Sequence, residues 1–304
     1  MWRKLVECVP NVSEGRNQGA IAAMAAAIRA VPAVRLLHVQ SDPDHHRSVF
    51  TFVGEPEGVA EAVYRLFEAA LPRVDLRSHR GEHPRMGAVD VVPFVPVRGV
   101  TMADCVALAR QVGAEIWQRF RVPVYLYAEA ATRPEREDLA EIRKGEFEGF
   151  FEKIKDPIWA PDFGESAVHP TAGVTAVGAR EFLIAFNVNL GTTDLRVAKE
   201  IAKAVRFSSG GLRYVKALGL ELKERGIVQV SMNLTNFRKT PIPRVLELVR
   251  RETERFGVPV VGTEIVGLIP EEALAQVAEY YLQLENFSVG QILERRIEEA
   301  LSEG

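Results

Sequence analysis

Residues 80–99 read RGEHPRMGAVDVVPFVPVRG and set Glu82, His83 and Arg85 around Pro84, just before an almost wholly apolar run. A histidine with an ordinary pKa of about 6.5 exchanges protons at neutral pH, which makes His83 a candidate general acid/base. Gly81 and Pro84 flank it, so a proline-stiffened loop places the ring with little entropy left to lose. The alternative reading is a turn histidine that hydrogen-bonds only to its neighbours. A second cluster, SDPDHHRS at residues 41–48, holds Asp42, Asp44, His45, His46 and Arg47. Adjacent histidines lack the i, i+4 spacing of a metal pair, and an Asx-turn before a strand accounts for the two aspartates. In PNVSEGRN, residues 10–17, Asn11 or Ser13 caps a helix and Glu14 favours its first turn; the stretch is not the GxSxG elbow of a serine nucleophile. Arg206, Arg213, Lys216, Lys223 and Arg225 form either a solvated face or a set of partners for the carboxylates of an acidic ligand.

Apolar periodicity and turn residues define the elements that must carry these groups. Strands are expected at residues 5–10, 34–40, 47–54, 88–97 and 122–130, with helices at 18–31, 55–72 and 102–120. The second half repeats the order, with strands at 182–190, 211–223, 227–237 and 258–270 and helices at 193–208 and 241–257. Strand, helix, strand, strand, helix, strand in each half predicts an α/β (α+β) chain of two ferredoxin-like βαββαβ subdomains, residues 1–178 and 179–304. The connection at residues 132–180, charged first and rich in Gly and Pro later, reads as a long irregular segment of the kind that often carries function.

Length supports two folding units, since 304 residues exceed what one core usually organises. A net charge of -3 gives no basic footprint for nucleic acid. Residues 1–10 lack the apolar core of a signal peptide and no run is long enough to span a bilayer, which predicts a cytoplasmic protein with no membrane partner. Cys8 and Cys105, without metal-ligand spacing, are expected to be core thiols.

Seven blocks, taken in order, resemble the glutamate formiminotransferase family: LVECVPNVSEGRN, SVFTFVG, GEHPRMGAVDVVPFVPVRGV, VPVYLYAEAA, WAPDFG, GAREFLIAFNVNL and VPVVGTEIVGLIP. The resemblance runs from about residue 5 to 284. It implies transfer of a formimino group from N-formimino-L-glutamate to N5 of tetrahydrofolate in histidine degradation. It implies folate as a co-substrate bound between the two subdomains, with no metal. It implies that His83, within GEHPRMG, is the catalytic histidine. The implied folate-binding loop is GESAVHPTAG, that is Gly164, Glu165, Ser166, Ala167, Val168, His169, Pro170, Thr171, Ala172 and Gly173, with Gly211 in addition. Asp42 and Glu82 are the carboxylates expected at the formimino cation, and Arg47 and Arg85 the guanidinium groups expected at a glutamate carboxylate. The implied form is the stand-alone one without a cyclodeaminase domain, as a homodimer. Rival readings are formyl transfer from N-formylglutamate, a non-catalytic folate- or metabolite-binding module, and a metal-dependent hydrolase using His45, His46 and His83.

Overall fold

Alternating burial builds the first strand of the chain. In the computed structural model, which describes residues 3–302, Val6 and Cys8 turn inward along β1 (Leu5–Cys8), and Pro10, which has no N–H for the ladder, separates it from β2 (Asn11–Val12). Asn17 caps α1 (Gln18–Arg29), its side chain accepting from the Ala20 N–H at 3.0 Å. There follow the hairpin β3 (Val34–Asp42) and β4 (Arg47–Gly54), then α2 (Pro56–Ala70), opened by proline in its first turn. β5 (Val89–Arg98), α3 (Met102–Phe120) with its Thr101–Asp104 capping box, and β6 (Val124–Ala128) come next.

The segment expected to be irregular contains two α-helices and a strand, α4 (Leu139–Arg143), α5 (Glu146–Lys153) and β7 (Thr175–Ala179), besides two short 3-10 turns. Charge conceals the two short helices in the sequence, because few positions, Ile142, Phe147 and Phe150, turn inward. β7 is buried at all five positions between two parallel neighbours, so it shows no alternation. It also runs through Gly178, and the chain divides into two compact units between Glu181 and Phe182.

The first unit's sheet runs β3, β4, β1 with β2, β5, β7, β6; the first four positions are antiparallel and the last two join in parallel. Helices α1, α2 and α3 bury one face, where Met24, Ile28, Phe50, Phe52, Phe67 and Phe94 form the core together with Cys8 and Cys105. Val124 and Leu126 belong to that core, whereas Tyr125 and Tyr127 point the other way and pack with Ile142, Phe150 and Ile154 of the α4–α5 region.

The second unit consists of β8 (Ile184–Leu190), α6 (Leu195–Val205), β9 (Val215–Leu222), β10 (Ile227–Leu234), α7 (Ile242–Glu254) and β11 (Val260–Val266). Two further helices, α8 (Glu271–Leu282) and α9 (Leu293–Ser302), complete it. Its sheet, β11-β8-β10-β9, is antiparallel throughout. Counted by element, that order is fourth, first, third, second, and β5, β1/β2, β4, β3 in the first unit give the same order. No helix among the described residues is long and apolar enough to cross a membrane.

Candidate active site

Three connections meet at one end of the first sheet: the turn after β2, the β3–β4 turn and the loop that leads into β5. Close approach requires glycine at two of them. A Cβ on Gly15 would lie 2.2 Å from the Asp42 carbonyl oxygen, and one on Gly81 would lie 2.4 Å from that of His45. The Glu82 N–H donates to the Asp44 carbonyl at 3.0 Å, tying the third loop to the second.

His83 is half-buried in this junction. Its Nδ1 lies 2.8 Å from the Pro84 carbonyl oxygen, which can only accept, so Nδ1 carries the proton and Nε2 is the acceptor. Arg47 Nη1 donates to Nε2 at 2.6 Å. Burial, then the Arg47 and Arg143 cations, then His45 push the imidazole well below the usual histidine range. The imidazole is thus biased toward its neutral form and does not keep the ordinary pKa that its residue type predicts. The buried His45 ring stands edge-on 6.1 Å away, and its Nδ1 lies 3.0 Å from Asp42 Oδ1. Burial raises the Asp42 carboxyl, but hydrogen bonds from His45 outweigh it and hold the group below its usual value.

Arg85 points elsewhere. Its guanidinium grips Glu148 with two bonds of 2.7 Å, reaches Glu146 at 3.1 Å and donates from Nε to His79 Nδ1 at 3.2 Å. That grip lowers the Glu148 carboxyl to about 2. The His79 ring stacks at 4.0 Å on His46, which in turn meets Glu14 Oε1 at 3.2 Å. Arg85 is thus a strut under the loop, and Arg47 is the guanidinium at His83. Glu82 is half-buried on the same loop.

The loop at residues 164–173 joins the same assembly by its second half. His169 and Gly173 exchange backbone hydrogen bonds of 3.1 and 3.0 Å, and His169 Nδ1 accepts from the Ala172 N–H at 3.0 Å. The Ala88 N–H donates to Ala172 O and the Val174 N–H to Met86 O, both at 2.9 Å, which stitches this loop to the one carrying His83. Gly173 has φ +71°, and a Cβ there would lie 2.0 Å from Met86 O. Gly164, Glu165, Ser166, Ala167 and Pro170 are exposed, Val168, His169 and Thr171 half-buried, and Ala172 is a core group. Gly211 belongs to the second unit, where a Cβ would meet the Val205 carbonyl carbon at 2.4 Å; its smallness serves helix-end packing.

Sequence reasoning missed Asp90 and Arg143. Asp90 is 2% exposed in a strand that otherwise reads as apolar. Its Oδ1 accepts from the Met86 and Gly87 N–H groups at 2.7 and 3.1 Å, and its Oδ2 from Arg143 Nε and Nη2 at 2.8 and 2.5 Å. The one signal was a lone acid among valines in GAVDVVPF. Among the described residues no group of three or more His, Cys, Asp and Glu side chains is arranged to hold a metal ion. His45, His46 and His83 each turn to a different protein partner.

A neutral imidazole acceptor beside a guanidinium suits proton transfer on a substrate that also carries a carboxylate. Known proteins point the same way. The formiminotransferase domain, N-terminal subdomain, matches residues 5–180, and the formiminotransferase domain matches residues 185–303. Glutamate formimidoyltransferase of Streptococcus pyogenes is 50% identical over 97% of this chain and 99% of its own length. Its namesake in Thermoplasma acidophilum is 52% identical over 97% and 98%. Formimidoyltransferase-cyclodeaminase of Rattus norvegicus is 46% identical over 94% of this chain, which spans 54% of that longer protein. Matched over both halves by these models and over nearly its full length by these relatives, the chain belongs to the formiminotransferase family.

Proposed function

We propose that the protein is a glutamate formimidoyltransferase, which moves the formimino group of N-formimino-L-glutamate to N5 of tetrahydrofolate and releases L-glutamate. The observation that carries the mechanism is the His83 imidazole, neutral, with its acceptor nitrogen turned to Arg47. The N5 lone pair attacks the formimino carbon, and the new C–N bond gives a tetrahedral adduct with an extra proton on N5. His83 Nε2 takes that proton and returns it to the glutamate nitrogen as the old C–N bond breaks, so the base is restored each turnover. Acceptance at Nε2 requires Arg47 to exchange its hydrogen bond with the ring for one with a substrate carboxylate, which couples donor binding to release of the base.

Asp42, opposite Arg47 across the β3–β4 hairpin, and Glu82 are the carboxylates we assign to the formimino cation. We assign folate to residues 164–173, whose first half is exposed and whose second half is bonded to the His83 loop. The fourth-first-third-second strand order of each unit supports ferredoxin-like subdomains. His83→Ala tests the assignment: turnover should fall by roughly 10²- to 10⁴-fold while affinity for 5-formyltetrahydrofolate changes little. Near wild-type turnover would remove His83 from the chemistry.

A further inference from the structure

N-formimino-L-glutamate carries two carboxylates. Arg47 stands at the His83 ring as a partner for one of them, while Arg85 is engaged by Glu146, Glu148 and His79. The other carboxylate calls for donors elsewhere on the face that Arg47 occupies, and the β3–β4 hairpin has them. Leu37 is a bulge residue there: Leu36 pairs with Phe52 and His38 with Thr51, and the side chain left between them is 51% exposed. Beyond the bulge the register is regular, with Val39 opposite Phe50, Gln40 opposite Val49 and Asp42 opposite Arg47. Phe50 and Phe52 lie in the helix-covered core. The alternate residues Arg47, Val49 and Thr51, with Asp42, Gln40 and His38 beside them, therefore share the other side of the sheet. Three rows lead away from the His83 junction on that side, and the last ends in two polar atoms that the fold does not use. Thr51 is 1% exposed, and neither its Oγ1 nor His38 Nδ1, both buried, has a hydrogen-bond partner among the described residues. A buried hydroxyl without a partner works against the fold, and a valine of the same shape would avoid the loss.

We propose that Thr51 and His38 form the subsite for the γ-carboxylate of the formimino donor. This inference rests on the reading of the protein as a glutamate formimidoyltransferase. In the donor the reacting nitrogen and the α-carboxylate share one carbon. An α-carboxylate on Arg47 therefore holds that nitrogen beside His83 Nε2, and the rest of the donor runs along the hairpin. Arg47 and Thr51 are four residues apart, about 13 Å of strand, a span that an extended arginine side chain and an extended glutamate cover together. At the far row one carboxylate oxygen accepts from the Thr51 hydroxyl and the other from the Nδ1–H of His38, the tautomer that such an acceptor selects. Holding the donor at both ends separates glutamate from amino acids with a shorter or neutral side chain and fixes which way the formimino carbon faces.

Thr51→Val removes the hydroxyl and keeps the shape, so its urea midpoint should equal or exceed that of wild type. The KM for N-formimino-L-glutamate should rise roughly tenfold or more while kcat falls by less than about threefold, because this contact is made in the bound donor and in the transition state alike. Thr51→Ser, which restores a hydroxyl, should keep that KM within about threefold of wild type. Tetrahydrofolate also ends in a glutamate, and its KM should not move; a rise there in place of one for the donor would give the pair to the folate tail and overturn the proposal. A donor KM within about twofold of wild type, or a joint fall in kcat and stability, would overturn it as well. Calorimetry with the released product reads the subsite without turnover. Wild type should bind L-glutamate roughly tenfold or more tightly than L-norvaline, which has a methyl in place of the γ-carboxylate, and Thr51→Val should remove most of that preference. No preference in wild type, or an unchanged one in Thr51→Val, would overturn the proposal. If the preference is present and depends on Thr51 while wild type fails to turn over the formimino donor, the functional reading has failed and the subsite has not.

Discussion

Removing Arg136 should loosen the start of the 164–173 loop and destabilise the first unit together. Arg136 is 1% exposed and its Nη1 lies 2.5 Å from Asp162 Oδ2, while Nη2 donates to the Ala160 and Ile158 carbonyls at 2.5 and 3.1 Å. Asp162 also accepts from the Leu126 N–H at 2.8 Å and from the Thr132 hydroxyl, so the pair pins residues 158–162 to β6 just before Gly164. Arg136→Met leaves a buried carboxylate with two neutral donors and no counter-ion, which costs about 3–5 kcal/mol. Trp117 and Trp159 belong to the first unit and residues 182–304 contain no tryptophan, so tryptophan fluorescence reports the first unit's unfolding in urea. With a slope of about 2–3 kcal/mol per molar, the midpoint should drop by about 1–2 M, and adding Asp162→Asn should recover part of the loss. The KM for tetrahydrofolate should rise more than that for the formimino donor. A loss below about 1 kcal/mol, or one that the second substitution deepens, would refute the buried-pair reasoning.

The two glycine contacts predict opposite signs for one substitution. Gly87→Ala puts a methyl 2.1 Å from Val174 O between the two loops and should cost about 1–3 kcal/mol with a matching fall in turnover. Gly149→Ala, in α5 with nothing within 4 Å of the new Cβ, should instead raise stability by roughly 0.5–1 kcal/mol; thermal unfolding of both reads the contrast. His79 gives a pH dependence. Burial lowers it to about 4, and its neutral Nδ1 accepts from Arg85, so the folded protein resists a proton that the unfolded chain takes up near 6.5. Its contribution, about 3 kcal/mol at most, is complete above pH 6.5 and is lost as pH falls toward 4; His79→Gln should flatten the urea-stability curve within that window.

What the sequence made legible was local. Apolar runs bounded by turn residues, together with helices that have one apolar face, located the βαββαβ run of each half, as the repeated sheet order in both units reflects. The turn that presents His83 could be read from Gly81 and Pro84. β7 could not, since a strand of small residues buried on both faces has no period to detect. The polar framework under the site joins residues remote along the chain: His46 stacks on His79, Asp90 meets Arg143 across 53 positions, and Arg85 meets Glu148 across 63. Residue type gives the same expectation for Arg47 and Arg85, and only the placement of Glu148 separates the strut from the group at His83. Burial, likewise invisible in a turn that reads as polar, is what depresses the His83 pKa first.

The most direct test of the account is to mix the purified protein with tetrahydrofolate and N-formimino-L-glutamate, following the 5-substituted folate by absorbance and released glutamate alongside, with N-formylglutamate as the second donor. The account predicts one glutamate per 5-formiminotetrahydrofolate, turnover with the formimino donor, and its loss in His83→Ala. Turnover with the formyl donor alone, or silence with both donors despite measurable folate binding, would contradict it.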